Sequence, residues 1–263
     1  MDLNLKGKSV IITAGSKGLG KATALEFAKE GAYVIISSRN EEELAKTKHD
    51  IEKETGNKNV HFLVCDITKI DDIKRMVNKA VESFGTVDVL INNAGGPPAG
   101  TFDQMTDEDW LYAFELNLLS FIRTIREVLP YMKKQQHGHI INFASSSIKQ
   151  PIDNLILSNT FRTGIVGLAK SLSQELASDN ILINTVGPGR IGTDRLAQLD
   201  GILAEKQGKT IEEIKSGIEA SIPLGRYGEP SEFAKMVVFL ASGANTYVTG
   251  QSFVIDGGMV KAY

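Results

Sequence analysis

Seven short runs of Val, Ile and Leu, separated by longer amphipathic stretches, constrain this chain more than any other feature. They fall at residues 9–13, 32–37, 60–65, 87–91, 139–144, 181–186 and 252–255. Several are nearly continuous in apolar residues instead of alternating with polar ones, the pattern of strands covered on both faces in a parallel sheet. The stretches between them carry a helical period. Ala24, Phe27, Ala28 and Gly31 fall at i, i+3, i+4 and i+7, with Gly31 placed to end the helix, and Ile165, Leu168, Ala169, Leu172 and Leu176 repeat the pattern. The alternation predicts right-handed βαβ units and an α/β fold of three layers, a doubly wound parallel sheet between helices. No low-complexity linker, charge block or fixed-period repeat marks a second domain, so residues 1–263 read as one domain.

Composition narrows the function classes. With 42% apolar and 23% charged residues the chain can bury a core. A formal net charge of −3 gives no basic, phosphate-tracking surface, which argues against nucleic acid as a partner. The opening Met1-Asp2-Leu3-Asn4-Leu5-Lys6 is too polar for a signal peptide, and no apolar run approaches the ~20 residues that span a bilayer. Cys65 is the only cysteine and cannot form an internal disulfide. These features together predict a cytoplasmic protein without a membrane partner.

The first apolar run leads into Thr13-Ala14-Gly15-Ser16-Lys17-Gly18-Leu19-Gly20, which opens a helix. Glycines let the backbone turn tightly and approach a pyrophosphate, and the helix N-terminus offers free N–H groups and a positive dipole end to that anion. A tight strand-to-helix turn without a ligand is the plain alternative for such a loop taken alone. Its position in the first βαβ unit is what dinucleotide binding requires.

The spacing Gly15-x-x-Gly18-x-Gly20 resembles the cofactor loop of the short-chain dehydrogenase/reductase family, and the likeness extends over nearly the whole chain. Asn92-Asn93-Ala94-Gly95 ends strand four, Asn117 sits in the next long helix, and Ser145 follows strand five. Pro188-Gly189 with Thr193 follows strand six, and Gly225-Arg226-Tyr227-Gly228-Glu229-Pro230 and Ile255-Asp256-Gly257-Gly258 complete the match. The nearest branch by resemblance is that of the 3-oxoacyl-acyl-carrier-protein reductases, which implies a Rossmann fold, an NAD(P)-dependent oxidoreductase and a homotetramer or homodimer. Ala14 departs from the family, which usually has glycine there; alanine permits the turn if its φ stays negative.

In this family an acidic residue at the end of strand two suits the ribose hydroxyls of NAD, whereas an arginine nearby suits a 2′-phosphate. Here the acidic position is Ser38, followed by Arg39, and Lys17 supplies a second cation. The pair predicts NADP(H), since a guanidinium–phosphate pair is well matched; two solvated surface cations are the alternative. The resemblance places Gly15, Ser16, Lys17, Gly18, Leu19 and Gly20 on the diphosphate and Asp66 and Ile67 on the adenine. It places Asn93, Ala94 and Gly95 on the ribose, and Pro188, Gly189, Ile191 and Thr193 on the nicotinamide carboxamide.

Family members reduce carbonyls with a Ser, a Tyr, a Lys four residues after the Tyr, and an Asn. Aligned through Gly164-Ile165-Val166-Gly167, the Tyr position holds Ser158 and the Lys position Arg162, whereas Ser145 and Asn117 are kept. Serine is a poor acid, and arginine stays protonated and cannot replace it. Arg162 could instead stabilise an alkoxide electrostatically. Ser158 and Arg162 share a helical face with Ile165 and Ala169, so a cation begins an otherwise apolar stripe, which places it at the mouth of a site. Three readings stay open: a reductase in which Ser145, Ser158 and Arg162 hold the carbonyl or a water; an NADP(H)-binding or sensing protein without catalysis; and a structural role in which Arg162 holds a cofactor hydroxyl or a carboxylate.

Residues 191–222 occupy the place of the family's substrate segment. Leu196, Leu199 and Leu203 form one apolar stripe, and Ile211, Ile214, Ile218 and Ile222 another. They predict a helical lid over a small-molecule carbonyl or alcohol substrate that is partly apolar, or ordinary packing against the sheet. Gly95-Gly96-Pro97-Pro98 would rim the pocket. His137-Gly138-His139 has metal-like spacing but no partner carboxylate or cysteine motif, so no metal is expected. Trp110, Phe114, Asn117 and Phe121 lie at helical spacing, with the aromatics read as packing.

Overall fold

The computed structural model describes residues 1–262. Each apolar run forms a strand: β1 (Ser9–Ile12), β2 (Tyr33–Ser38), β3 (Val60–Val64), β4 (Val89–Asn92), β5 (Gly138–Phe143), β6 (Ile181–Pro188) and β7 (Ser252–Ile255). They pair in parallel in the order β3-β2-β1-β4-β5-β6-β7. Because a strand's side chains alternate between faces, successive residues enter different cores. Val10, Ile12, Val34 and Ile36 pack with Phe27, Phe233 and Val237. Ile11, Ile35 and Leu90 pack with Met76, Phe121, Ile125 and Ile165 on the other face. Helices α1 (Gly18–Lys29) and α9 (Pro230–Leu240) thus cover one side. Helices α3 (Ile70–Phe84), α5 (Ser120–Gln135) and α6 (Ile156–Glu175) cover the other. Helix α2 (Glu41–Thr55) lies beside α1, capped by Asn40 and closed by Gly56 in the left-handed region.

Gly31, at φ +75°, follows α1 as its position in the periodic pattern predicts. The helix carrying Asn117 is less regular. Helix α4 (Asp107–Phe114) passes through a π turn at Glu115–Leu119 before α5 begins, so the spacing from Trp110 to Phe121 is not one continuous 3.6-residue period. Such an inserted residue re-aims the side chains around it and is frequent at functional sites.

Sheet order reverses between β1 and β4. There the connections leave to opposite faces and open a crevice beyond the strands' C-terminal ends. A cleft of about 660 Å³ lies there, reached by the loops after β1, β2, β4, β5 and β6.

Candidate active site

The loop after β1 is shaped by three glycines with three separate reasons. A Cβ on Gly15 would come 2.9 Å from the Cβ of Ile36, and one on Gly20 would strike the carbonyl of Ala14 and lie 2.9 Å from Asn93 Nδ2. Gly18 adopts φ +52°. Ala14 corrects the sequence expectation: its φ is +46°, not negative, so an alanine occupies a left-handed position that costs a non-glycine residue about 1–2 kcal/mol. Asn93 holds this turn, its backbone N–H donating to Thr13 Oγ1 and its Nδ2 to Ala14 O. Helix α1 begins with no side-chain cap and no acidic residue in its first turn, so its leading amides face the cleft without an internal acceptor. That cradle fits a diphosphate.

β2 ends on the uncharged Ser38, and Arg39 just after it lines the cleft. Lys17 lines it too, but its ammonium is paired with Glu43 on α2, so the two cations do not stand equally free. Asn93, Ala94, Gly95, Pro188, Gly189, Ile191 and Thr193 all border the cleft. A Cβ on Gly189 would come within 2.7 Å of Asp256 Cα, so glycine is required for the loop to pass β7. Ser16 lies beneath the loop, its carbonyl accepting from Thr47 Oγ1 at 2.7 Å. Asp66 and Ile67 stand outside the cleft walls; Asp66 Oδ1 is already occupied by the backbone and hydroxyl of Thr68.

The catalytic candidates converge on the floor. Ser145 follows β5, and its Oγ accepts from the Ser147 N–H at 3.1 Å. Ser158 and Arg162, one turn apart on α6, line the same cleft. Asn117, from the π turn, is completely buried; its Nδ2 donates to Gly95 O at 2.8 Å, while its Oδ1 has no partner. Arg162 does not sit at the mouth, as its place in the stripe implied, but in the floor at 5% exposure. The apolar face continues beneath the guanidinium, with the Phe121 ring centroid 6.0 Å from its Cζ. Arg162 Nη1 donates to Phe143 O at 2.7 Å and Nη2 to Ala94 O at 3.2 Å. It makes no ion pair among the described residues. Desolvation lowers its pKa to about 10, which leaves it charged at neutral pH. Among the described residues, no tyrosine, histidine or cysteine lines the cleft.

Residues 191–222, expected to form a lid, contain α7 (Asp194–Gln207) and α8 (Ile211–Glu219). Leu196 and Leu199 face the cleft, and Ile214 and Ile222 are buried. Ile211 is a correction: it opens α8 half exposed instead of joining the buried stripe. Asp200, 3% exposed on α7, accepts from Arg190 Nη1 and from the Tyr227 hydroxyl, both at 3.0 Å. These contacts tie α7 to the turn after β6. Arg195, in the first turn of α7, reaches the opposite rim and donates to Pro97 O.

This arrangement agrees with what the whole chain matches. Residues 13–260 fit the family described as enoyl-(acyl carrier protein) reductase. The chain belongs to the short-chain dehydrogenase/reductase family of oxidoreductases. It is similar to a 3-oxoacyl-[acyl-carrier-protein] reductase of Thermotoga maritima, 37% identical over 98% of this chain and 100% of that protein. An uncharacterized oxidoreductase of Bacillus subtilis is 33% identical over the full length of both. Among solved structures, L-sorbose reductase from Gluconobacter frateurii, complexed with NADPH and L-sorbose, superimposes with a TM-score of 0.94 at 30% identity over the full length of both chains.

Sequence reasoning passed over Asp200 and Arg195, although each left a trace. Asp200 interrupts the apolar stripe of Leu196, Leu199 and Leu203, and Arg195 puts a cation in a helix's first turn. The His137–His139 pair lies at the far, N-terminal end of the strands, beside a smaller hollow of about 310 Å³ that also holds Lys8 and Asp88. Burial lowers the pKa of His139 to about 4. Among the described residues no three His, Cys, Asp or Glu side chains form a ligand cluster, and no helix is long and apolar enough to cross a membrane.

Proposed function

We propose that the protein reduces a ketone to an alcohol with NADP(H), using Ser145, Ser158 and Arg162 in place of the family's usual acid. The observation that carries this reading is the buried, unpaired guanidinium of Arg162 in the floor of the cleft that also holds Ser145 and Ser158. NADP(H) is the cofactor. The L-sorbose reductase and an actinorhodin polyketide ketoreductase variant were both solved with NADPH, and in this chain Ser38 and Arg39 suit its phosphate. When bound, it supplies the hydride that reaches the carbonyl carbon.

The protein's own groups handle the oxygen. Ser145 and Ser158 donate hydrogen bonds to it, and Arg162 stabilises the negative charge that develops there, a contribution of about 10²–10³-fold for one well-placed donor. Arg162 gives up no proton, so the oxygen takes its proton from a water between the two serines, and the hydroxide left behind is neutralised by a proton from solvent when product leaves. A positioned general acid is worth about 10²–10⁴-fold, so turnover is slower than with a tyrosine in place. Asn117 positions the floor through Gly95, whose chain also borders the ribose site. The lid excludes bulk water, and Leu196 and Leu199 give the substrate an apolar wall. The protein acts in the cytoplasm as a homodimer or homotetramer, on a small molecule and not on nucleic acid or membrane.

Serine at position 158, where the family carries its tyrosine, and cleft walls that hold no tyrosine or histidine among the described residues favour a second reading, an NADP(H)-binding or sensing protein without turnover. NADPH consumption against β-ketoacyl esters, diketones, quinones and aldehydes separates the two. Turnover that is lost in Ser145→Ala supports the reductase; NADPH binding with no turnover, or turnover that survives Ser145→Ala, rejects it.

A further inference from the structure

The cleft carries an unusual balance of charge. Among the described residues, four cations, Lys17, Arg39, Arg162 and Arg195, border it against the single carboxylate of Asp194, in a chain whose net charge is −3. Lys17 and Arg39 stand at the end assigned above to the adenosine phosphate. Two arginines remain, one in the floor and one on the lid, and neither pairs with a carboxylate among the described residues.

Arg195 is exposed, but it differs from a freely moving surface arginine in three respects. It stands in the first turn of α7, where the helix dipole disfavours a cation by about 0.3–1 kcal/mol. Its guanidinium is held at both ends, Nη1 donating to Gln198 Oε1 at 2.9 Å and Nη2 to Pro97 O at 3.2 Å. The rim is also cut to admit it: a Cβ on Gly96 would lie 3.3 Å from both Nε and Nη2. Between the lid and the floor the walls are apolar, with Leu155, Ile191, Leu196 and Leu199. A neutral ketone would leave both arginines without an anionic partner. A molecule with an anionic head, a short apolar body and a carbonyl would use every part of the compartment.

We propose that the substrate is an oxo acid whose carboxylate is held by Arg195 while its carbonyl oxygen meets Ser145, Ser158 and Arg162. The inference rests on the reductase reading above and names its substrate class. The guanidinium fork matches a carboxylate, and its two protein contacts leave N–H groups free to donate. Because α7 carries this cation to the opposite rim, the same residue ties α7 to that rim and selects the charge of what lies beneath.

Calorimetric titration of the NADP⁺-saturated protein tests this without turnover, because the oxidised cofactor cannot reduce a ketone. The ligands are 3-oxobutanoate, 4-oxopentanoate and 5-oxohexanoate, each against its methyl ester. At least one acid binds about tenfold more tightly than its ester, with the preference shrinking as salt is raised. In Arg195→Gln acid and ester bind alike, and Arg195→Lys keeps part of the preference. With NADPH, the acid's advantage appears in KM. The proposal is overturned if no acid binds, if acids and esters bind alike in the wild type, or if the preference survives Arg195→Gln. Acid-selective binding that depends on Arg195, with no turnover of any ligand, leaves the carboxylate site standing and rejects the reductase reading instead.

Discussion

Replacing Arg162 by methionine separates what the guanidinium does for the fold from what it does for the reaction. Burial lowers its pKa from 12.5 to about 10, which corresponds to about 3 kcal/mol against the charged form. Its hydrogen bonds to Phe143 O and Ala94 O, made by a charged donor, offset this with about 1.5–3 kcal/mol each. Methionine has a similar reach, removes the buried charge, leaves two carbonyls without that donor, and retains contact with Phe121 through its sulfur. The opposing effects leave a net loss of stability between zero and about 3 kcal/mol, and the melting temperature falls by less than about 10 °C for a chain of this size. The reaction loses its electrostatic partner, so kcat falls by about 10²–10³-fold. Thermal melting, NADPH titration and NADPH consumption on the same preparation give the three quantities. A methionine variant with undiminished kcat would refute the argument that Arg162 stabilises the reacting oxygen.

Other outcomes follow from single contacts. Ser38→Asp sets a carboxylate against the adenosine phosphate and weakens NADPH binding by about 10–100-fold while leaving NADH binding little changed; equal loss for both nucleotides in a fluorescence titration removes the electrostatic assignment. Asp200→Asn takes the charge from the Arg190–Tyr227 anchor, so hydrogen exchange in α7 rises and KM increases more than kcat changes; α7 amides protected as in the wild type would show that the anchor is dispensable. His139 is held neutral by burial, with its pKa lowered to about 4. As pH falls through the unfolded value near 6.5, the unfolded chain takes up the proton first, so stability declines between about pH 6.5 and 4, by on the order of 3 kcal/mol, and levels off below. Urea midpoints across that range should flatten in His139→Gln. Ala14→Gly relieves the left-handed alanine and raises stability by about 0.5–1 kcal/mol, read as a rise in melting temperature; a fall would mean that chain entropy outweighs the strain.

The sequence by itself determined the layers, the strands and the glycine turn after β1. All seven apolar runs became strands because their character depends on burial of both faces, which a local run of Val, Ile and Leu already encodes. Gly15, Gly18 and Gly20 were legible for a similar reason, since a backbone that must turn within a few residues leaves its requirement in those residues. The missing tyrosine was equally plain, because it is a fact of composition at a position.

What only the tertiary structure decided was the state of each charge. Lys17 is paired because α2 brings Glu43 across from another part of the chain, and Asp200 is buried because Arg190 and Tyr227 close around it. Arg162 was visible as a cation on an apolar stripe, but not as a desolvated one in the floor, held only by carbonyls from two different strand ends. The free energy of an ionised group depends on the dielectric and the partners around it, and those are assembled from segments far apart in sequence. The helical period can say which way a side chain points; what it meets there is fixed only when the other layers have packed.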